Sequence, residues 1–221
     1  MYKGRLYQTK RYNKPPFIRR TKTDELTIFE RNFRGIQKIF DKRHILDLIP
    51  KKSKTLDIGS GTLELVKYLA YYLELREIHC TDIIEQKPET IKFKTEKMPK
   101  IIFFQGKIGK INEDIDYNYK LITCFMSIHH FGLKLLEKKI LPRTRKYILI
   151  NDHDVDKRDV KLINHLINVH KCYDEIFNPK YLFSRKELHE LMKKNNFKCI
   201  ISWDDPKRIY ENNYVDLFKR I

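Results

Sequence analysis

The chain passes from a short apolar run, Thr55-Leu56-Asp57-Ile58, into Gly59-Ser60-Gly61 and then into a helical pattern from Leu63 to Leu73. This strand, glycine loop and helix constrain the fold more than any other feature. Only seven glycines occur in 221 residues, and two of them fall within these three positions. Without a Cβ, glycine reaches positive φ and lets the main chain approach a ligand, while the following helix aims its first amides at the same point. The dinucleotide fingerprint asks for a third glycine, and Thr62-Leu63 stands there instead. A second signal supplies what the loop lacks: Glu77 to Thr81 reads as the next strand, with Asp82 at its end. In a βαβ unit an acid about twenty residues past the loop lies beside it and accepts the hydroxyls of a ribose. Loop and acid together predict a nucleoside site.

Further strands are predicted at Lys100 to Phe104, Lys120 to Phe125, Lys146 to Ile150, Lys198 to Ser202 and Tyr214 to Lys219, and helices at Lys134 to Lys139, Lys157 to Val169 and Ser184 to Lys194. Alternation of this kind predicts an α/β chain with a doubly wound, Rossmann-like seven-stranded sheet and helices on both faces. The last two strands are joined too closely for a helical crossover, so they are expected to be antiparallel, leaving a mostly parallel sheet with one reversed strand. Ahead of the sheet, Leu26, Phe29, Phe33, Ile36 and Phe40 recur at spacings of 3 and 4, which predicts an amphipathic helix. Three parts follow: an arm over 1–23, that helix within 24–50, and a main domain over 51–221.

The formal net charge is +17, and eight cations precede the first acid, Asp24. Lys10, Arg11, Arg19, Arg20 and Lys22 stand among them, interleaved with Tyr2, Tyr7, Tyr12 and Phe17. Cations meet phosphates and aromatic rings stack on unpaired bases, so the arm predicts contact with nucleic acid, RNA in particular. No apolar run approaches the roughly 18 to 20 residues of a membrane span, so no membrane partner is expected. The start is basic and aromatic, without the apolar core of a signal peptide. Cys80, Cys124, Cys172 and Cys199 are far apart with no C-x-x-C pair, which predicts reduced thiols, a cytosol-like compartment and no structural metal.

From about Leu26 to Ile221 the chain resembles the class I S-adenosylmethionine-dependent methyltransferases. The carriers are Leu56-Asp57-Ile58-Gly59-Ser60-Gly61, Asp82, the run from Leu121 to His130, Phe183-Ser184-Arg185-Lys186-Glu187-Leu188 with Asn196-Phe197, and the closing Tyr214 to Lys219. The resemblance implies S-adenosylmethionine as cofactor. It implies that Gly59 and Gly61, with Ile58 and Ser60 between and before them, line the methionine and ribose part, that Asp57 holds the loop, and that Asp82 takes the ribose hydroxyls. Ile83 would lie against the adenine, and Phe125 and Met126 would border the cofactor. Where the family places an acid after its third strand, Gln105-Gly106 stands here, so Gln105 or a backbone carbonyl is expected at the adenine amino group.

Methyl transfer is a direct displacement, so the protein supplies alignment, water exclusion and, for a hydroxyl nucleophile, a base. Two polar clusters are expected at the crevice: Ser127, His129 and His130 after one strand, and Asn151, Asp152, His153 and Asp154 after the next. Asp152 or Asp154 would orient a histidine that takes or hydrogen-bonds the target proton. The Asp152-His153-Asp154 ending is similar to that of some viral methyltransferase-like domains. The Glu-x-x-Glu-His-His set of metal-dependent RNA 3′-end methyltransferases lacks both glutamates here, so no metal is expected. The leading expectation is transfer to RNA, at a base or a terminal or cap nucleotide. The alternatives are a small-molecule or protein methyltransferase, and a catalytically inactive nucleic-acid-binding subunit.

Overall fold

A computed structural model describes residues 45–61, 63–83, 100–106, 118–156, 158–172, 178–204 and 213–221. The basic arm and the helix expected over Leu26 to Phe40 lie outside these residues, as do Lys10, Arg11, Arg19, Arg20 and Lys22.

Seven strands form one sheet: β1 (Thr55–Ile58), β2 (Glu77–Asp82), β3 (Lys100–Gln105), β4 (Tyr119–Phe125), β5 (Thr144–His153), β6 (Phe197–Asp204) and β7 (Asn213–Arg220), in the spatial order β3-β2-β1-β4-β5-β7-β6. β1 pairs in parallel with β2 and β4, β2 with β3, and β4 with β5. β7 runs antiparallel to both of its neighbours, so it is the single reversed strand. The winding changes direction between β1 and β4, and the C-terminal ends of those strands form the crevice where α/β sheets bind ligands.

The inner strands β1, β2, β4, β5 and β7 are largely buried on both faces, while the edge strands β3 and β6 are partly exposed. On one face α1 (Glu64–Tyr72) sets Leu65, Val66 and Leu69 against Ile78, Leu121, Leu149 and Leu217. On the other, α2 (Ile128–Leu135) and α4 (Arg185–Lys194) pack Ile128, Leu188 and Met192 on Leu56, Ile58, Ile122 and Ile150. α3 (Val160–Cys172) has its own smaller contact, Leu162 and Leu166 against Val155 and Leu182. Among the described residues no helix is long and apolar enough to cross a membrane.

Two boundaries differ from the sequence expectation in ways that matter for the site. β5 continues through Asn151, Asp152 and His153, so these polar residues belong to the sheet and are buried there. α2 begins at Ile128, six residues before the expected start, interrupts at Gly132 (φ 79°, ψ 165°) and continues through a π turn, Leu136–Ile140. Its own N-cap, Ser127, makes no side-chain capping bond. The cap comes from Asp152 on a neighbouring strand, a partner that a local reading of the sequence does not reach.

Candidate active site

The glycine loop is laid on the end of β2. Gly59 and Ser60 donate their N–H groups to the Thr81 carbonyl at 2.8 and 3.1 Å. Gly61 N–H donates to the Asp82 carboxylate at 2.7 Å. Gly59 and Gly61 both hold positive φ, 72° and 49°. A Cβ on Gly59 would stand 2.6 Å from the Ser127 Cβ, so the loop lies directly on the head of α2. The Ser127 hydroxyl beneath it is buried and has no hydrogen-bond partner among the described residues, an orphaned group at the floor of the crevice. In the sequence Ser127 stands with the histidines, and nothing local signals its contact with the loop.

Asp82 is half-buried, with Gly106 N–H donating to its carbonyl at 2.8 Å from the end of β3. Gln105 is exposed beside it, and Ile83 keeps 39% of its surface exposed. Gly61, Asp82 and Gly106 are joined at this rim, with Ser60, Ile83 and Gln105 next to them in the chain; Ile58 is buried in the core beneath, and Phe125 and Met126, at and just past the end of β4, are half-buried.

Asp57 is buried on the α1 face, where Thr123 donates its hydroxyl to the carboxylate. Burial pushes its carboxyl up to about 6, against the hydrogen bond that lowers it. The Asp57 carbonyl also accepts the Ser60 hydroxyl at 3.1 Å, which ties the loop back to β1.

On the other side of the crevice Asp152 is fully buried and collects four N–H donors. Its Oδ2 accepts from the backbone of Ile128 at 2.9 Å and His129 at 3.3 Å; its Oδ1 accepts His129 Nδ1 at 2.6 Å and the His153 backbone at 2.8 Å. A carboxylate only accepts, so His129 carries its proton on Nδ1. Burial holds the His129 imidazole neutral, well below the usual histidine range. Burial works against the Asp152 charge as well, and the facing His129 and the N–H donors outweigh it, keeping the carboxyl below its usual range. The His129 ring stands 4.2 Å from His130, which is half-buried, and 5.0 Å from His153, centroid to centroid. Ligand-type atoms of His129, Asp152 and His153 lie within 4.8 Å of one another, but this carboxylate is engaged by N–H donors, which describes an Asp–His dyad better than a cation cage.

Asp154 faces elsewhere. It accepts Arg185 N–H at 2.7 Å at the start of α4, alongside the Ser184–Glu187 capping box. Asp216, a fully buried acid in the apolar run of β7, lies outside the site residues that the sequence predicts. It binds Arg185 through two nitrogens, Nε at 2.9 Å and the other closely, as well as His189 Nε2 at 2.7 Å and the Ser202 hydroxyl at 2.8 Å. The Arg185 guanidinium stacks 4.7 Å over the Tyr214 ring, and Tyr214 pairs with Asp152 across the sheet. The available signal was an acid alone in an apolar strand, answered by Arg185 and His189 one helical turn apart.

Neither a protein-family model nor a curated protein matches the sequence. Solved structures do match in fold, and they define it as that of the class I S-adenosylmethionine-dependent methyltransferases. Magnesium protoporphyrin IX methyltransferase from Synechocystis, with bound S-adenosylhomocysteine, aligns over 90% of each chain with a TM-score of 0.61 at 12% identity. The methyltransferase domain of bacterial CtHen1-C aligns over 84% of this chain and 98% of its own, with a TM-score of 0.57 at 16% identity. An S-adenosylmethionine-dependent methyltransferase from Methanosarcina mazei aligns over 80% and 97%, with a TM-score of 0.58 at 13% identity. At these identities the likeness is one of fold.

Proposed function

We propose that the protein is an S-adenosylmethionine-dependent methyltransferase whose substrate is RNA, modified at a base or a terminal nucleotide. The observation that supports the cofactor is the 2.7 Å bond between Gly61 N–H and Asp82, which sets a glycine loop and a ribose-binding acid on one rim. The residues fit the cofactor. Gly59 lets the loop close onto Ser127, the Ser127 hydroxyl beneath it has no hydrogen-bond partner among the described residues, and Asp82 offers a carboxylate to ribose hydroxyls. Ile83 is exposed where adenine would lie, with Gln105 near its amino group.

Bound S-adenosylmethionine supplies an electrophilic methyl on a sulfonium sulfur. The chain's part is to hold the target in line and to manage its proton. His130 is the histidine at the surface of the dyad, and His129 and Asp152 fix it from below. The Asp152 carboxylate sets the His129 tautomer, and the His129 ring packs on His130. His130 then takes or hydrogen-bonds the proton of the target group.

RNA is favoured by the +17 charge and by the cation-and-aromatic arm. Cys80 and Cys124 are buried free thiols raised by burial, in keeping with a reducing compartment. The test is transfer of tritiated methyl from the cofactor onto capped RNA, uncapped RNA and protein extract. Label on RNA that disappears in Asp82→Ala supports the reading. Label on protein or small molecules alone sinks the substrate, and failure to bind S-adenosylhomocysteine sinks the enzyme in favour of an inactive binding subunit.

A further inference from the structure

The pole of the sheet away from the glycine loop carries a regular feature that the crevice does not use. The register sets a cation at nearly every strand end there. Lys54 precedes β1, and its carbonyl accepts Lys120 N–H of β4 at 2.9 Å, so these two are neighbours. Leu121 pairs with Tyr147 and Tyr147 with Lys219, which sets Lys120, Lys146 and the end of β7 in sequence along the edge. Lys219 pairs in turn with Lys198 of β6. On the other flank Lys100 opens β3, and its N–H binds the carbonyl of Arg76, the exposed residue before β2.

Among the described residues, acids stand near both flanks of the row: Glu137 accepts from Lys194 at 3.1 Å, three residues before β6. Glu77 lies 3.5 Å from Lys100 and also holds His79, and Glu74 pairs with Lys51. From β1 through β4, β5 and β7 to β6, the residues that open or close the strands at this pole carry no carboxylate: Lys54-Thr55, Tyr119-Lys120, Thr144-Arg145-Lys146, Lys219-Arg220 and Phe197-Lys198. Lys54, Arg145, Lys198 and Lys219 are exposed, and Lys120 and Lys146 half-exposed. Arg220 is set apart from the row, because its guanidinium donates to the carbonyls of Thr144 and Leu141.

We propose that this edge is a track for the phosphate backbone of a single-stranded nucleic acid. Adjacent strands lie about 4.8 Å apart, so five of them spread their cations over about 19 Å, along a path curved by the sheet's twist. That spacing is of the same order as the charge spacing of a nucleic-acid strand, about 3.4 Å along a helix axis. Lys198 and Lys219 share the Tyr147 face of the sheet and Lys54 packs over Tyr119 on the other, so the cations reach this edge from both faces, as a linear polyanion running along it would require. A headgroup plane would call for a broad cationic patch with several apolar residues to insert; Ile78, Leu121 and Leu149 behind this edge are buried, and Ile221 beside Arg220 is 79% exposed. Lys54 and Gly59 are five residues apart, so the track lies about 17 Å from the crevice and does not overlap it. A strand held here leaves the crevice open to a nucleotide further along the same chain.

The inference takes its class of partner from the RNA reading above, but its test does not involve methyl transfer. The probe is a fluorescein-labelled single-stranded 20-mer RNA titrated with the full chain at several salt concentrations. Lys54→Gln, Lys120→Gln, Lys146→Gln and Lys219→Gln combined are expected to weaken binding roughly tenfold or more, and to lower the slope of log affinity against log salt by about 3, since each lost phosphate contact removes about 0.7. A control with four exposed helix and turn lysines changed, Lys134→Gln, Lys161→Gln, Lys180→Gln and Lys186→Gln, is expected to lose much less. Equal loss in both variants means that net charge alone acts, and overturns the track. Acetylation footprinting of the unaltered protein gives a second readout that does not depend on the variant folding. RNA must protect Lys54, Lys146, Lys198 and Lys219, and unchanged modification at all four overturns the proposal. Protection without any methyl transfer to RNA would leave the track standing and remove the enzymatic reading.

Discussion

Gly61 and Asp82 are joined by a 2.7 Å hydrogen bond from backbone N–H to carboxylate, across a separation of 21 residues. The bond makes the glycine loop and the end of β2 one unit, so a change at either place disturbs the same rim.

Asp82→Asn removes the charge and one acceptor from that rim. A hydrogen bond to a charged group contributes about 1.5 to 3 kcal/mol, so S-adenosylhomocysteine affinity is expected to fall roughly tenfold to a hundredfold. Titration calorimetry measures it, and unchanged affinity would remove Asp82 from the cofactor site.

Gly59→Ala meets two obstacles, a positive φ of 72° and a Cβ 2.6 Å from that of Ser127. Overpacking of this kind costs about 1 to 3 kcal/mol, and cofactor affinity is expected to drop with it. Adding Ser127→Gly relieves the contact and leaves the backbone term of about 1 to 2 kcal/mol. Urea denaturation of the single and double variants separates the two, and a double variant no more stable than the single would contradict the geometry.

Asp57 is raised by burial from 3.8 to about 6, so the folded protein binds a proton there that the unfolded chain releases. Its contribution to stability is therefore greatest below pH 4, falls as pH rises from about 4 to 6, and stays constant above. Two pK units correspond to about 3 kcal/mol. Asp57→Asn keeps an acceptor for Thr123 and loses this dependence. Subtracting the variant's urea stability from the parent's across that window should give a falling line, and a flat difference refutes the assignment.

Asp152→Asn leaves one acceptor oxygen for four donors and turns an NH2 towards backbone N–H groups. The expected loss is about 3 kcal/mol or more, with α2 loosened and methyl transfer reduced. Asp154→Asn, which alters one capping contact on α4, should cost about 1 kcal/mol or less. Thermal unfolding ranks the two, and the reverse order would contradict the roles described.

Arg185→Lys cannot reproduce the two-nitrogen grip on Asp216, and Asp216→Asn leaves the guanidinium without its buried partner. Asp216→Asn is expected to destabilise by about 3 to 5 kcal/mol and Arg185→Lys by less. Denaturant midpoints measure both, and a loss under about 1 kcal/mol for Asp216→Asn would show that water reaches the pair.

The sequence determined by itself the alternation that builds the sheet, the single reversed strand and the glycine loop with its acid. These follow from short-range facts: apolar runs of strand length, glycine where a Cβ is excluded, and a connection too short for a crossover. The tertiary structure alone decided what the buried acids do. Asp152 caps a helix that begins 24 residues earlier, Asp216 and the half-buried Asp154 answer Arg185 31 residues away, and the lysines of five strands come to one edge of the sheet through strand register. A carboxylate can be buried only where donors converge on it, and those donors come from segments that meet only when the sheet closes and the helices pack.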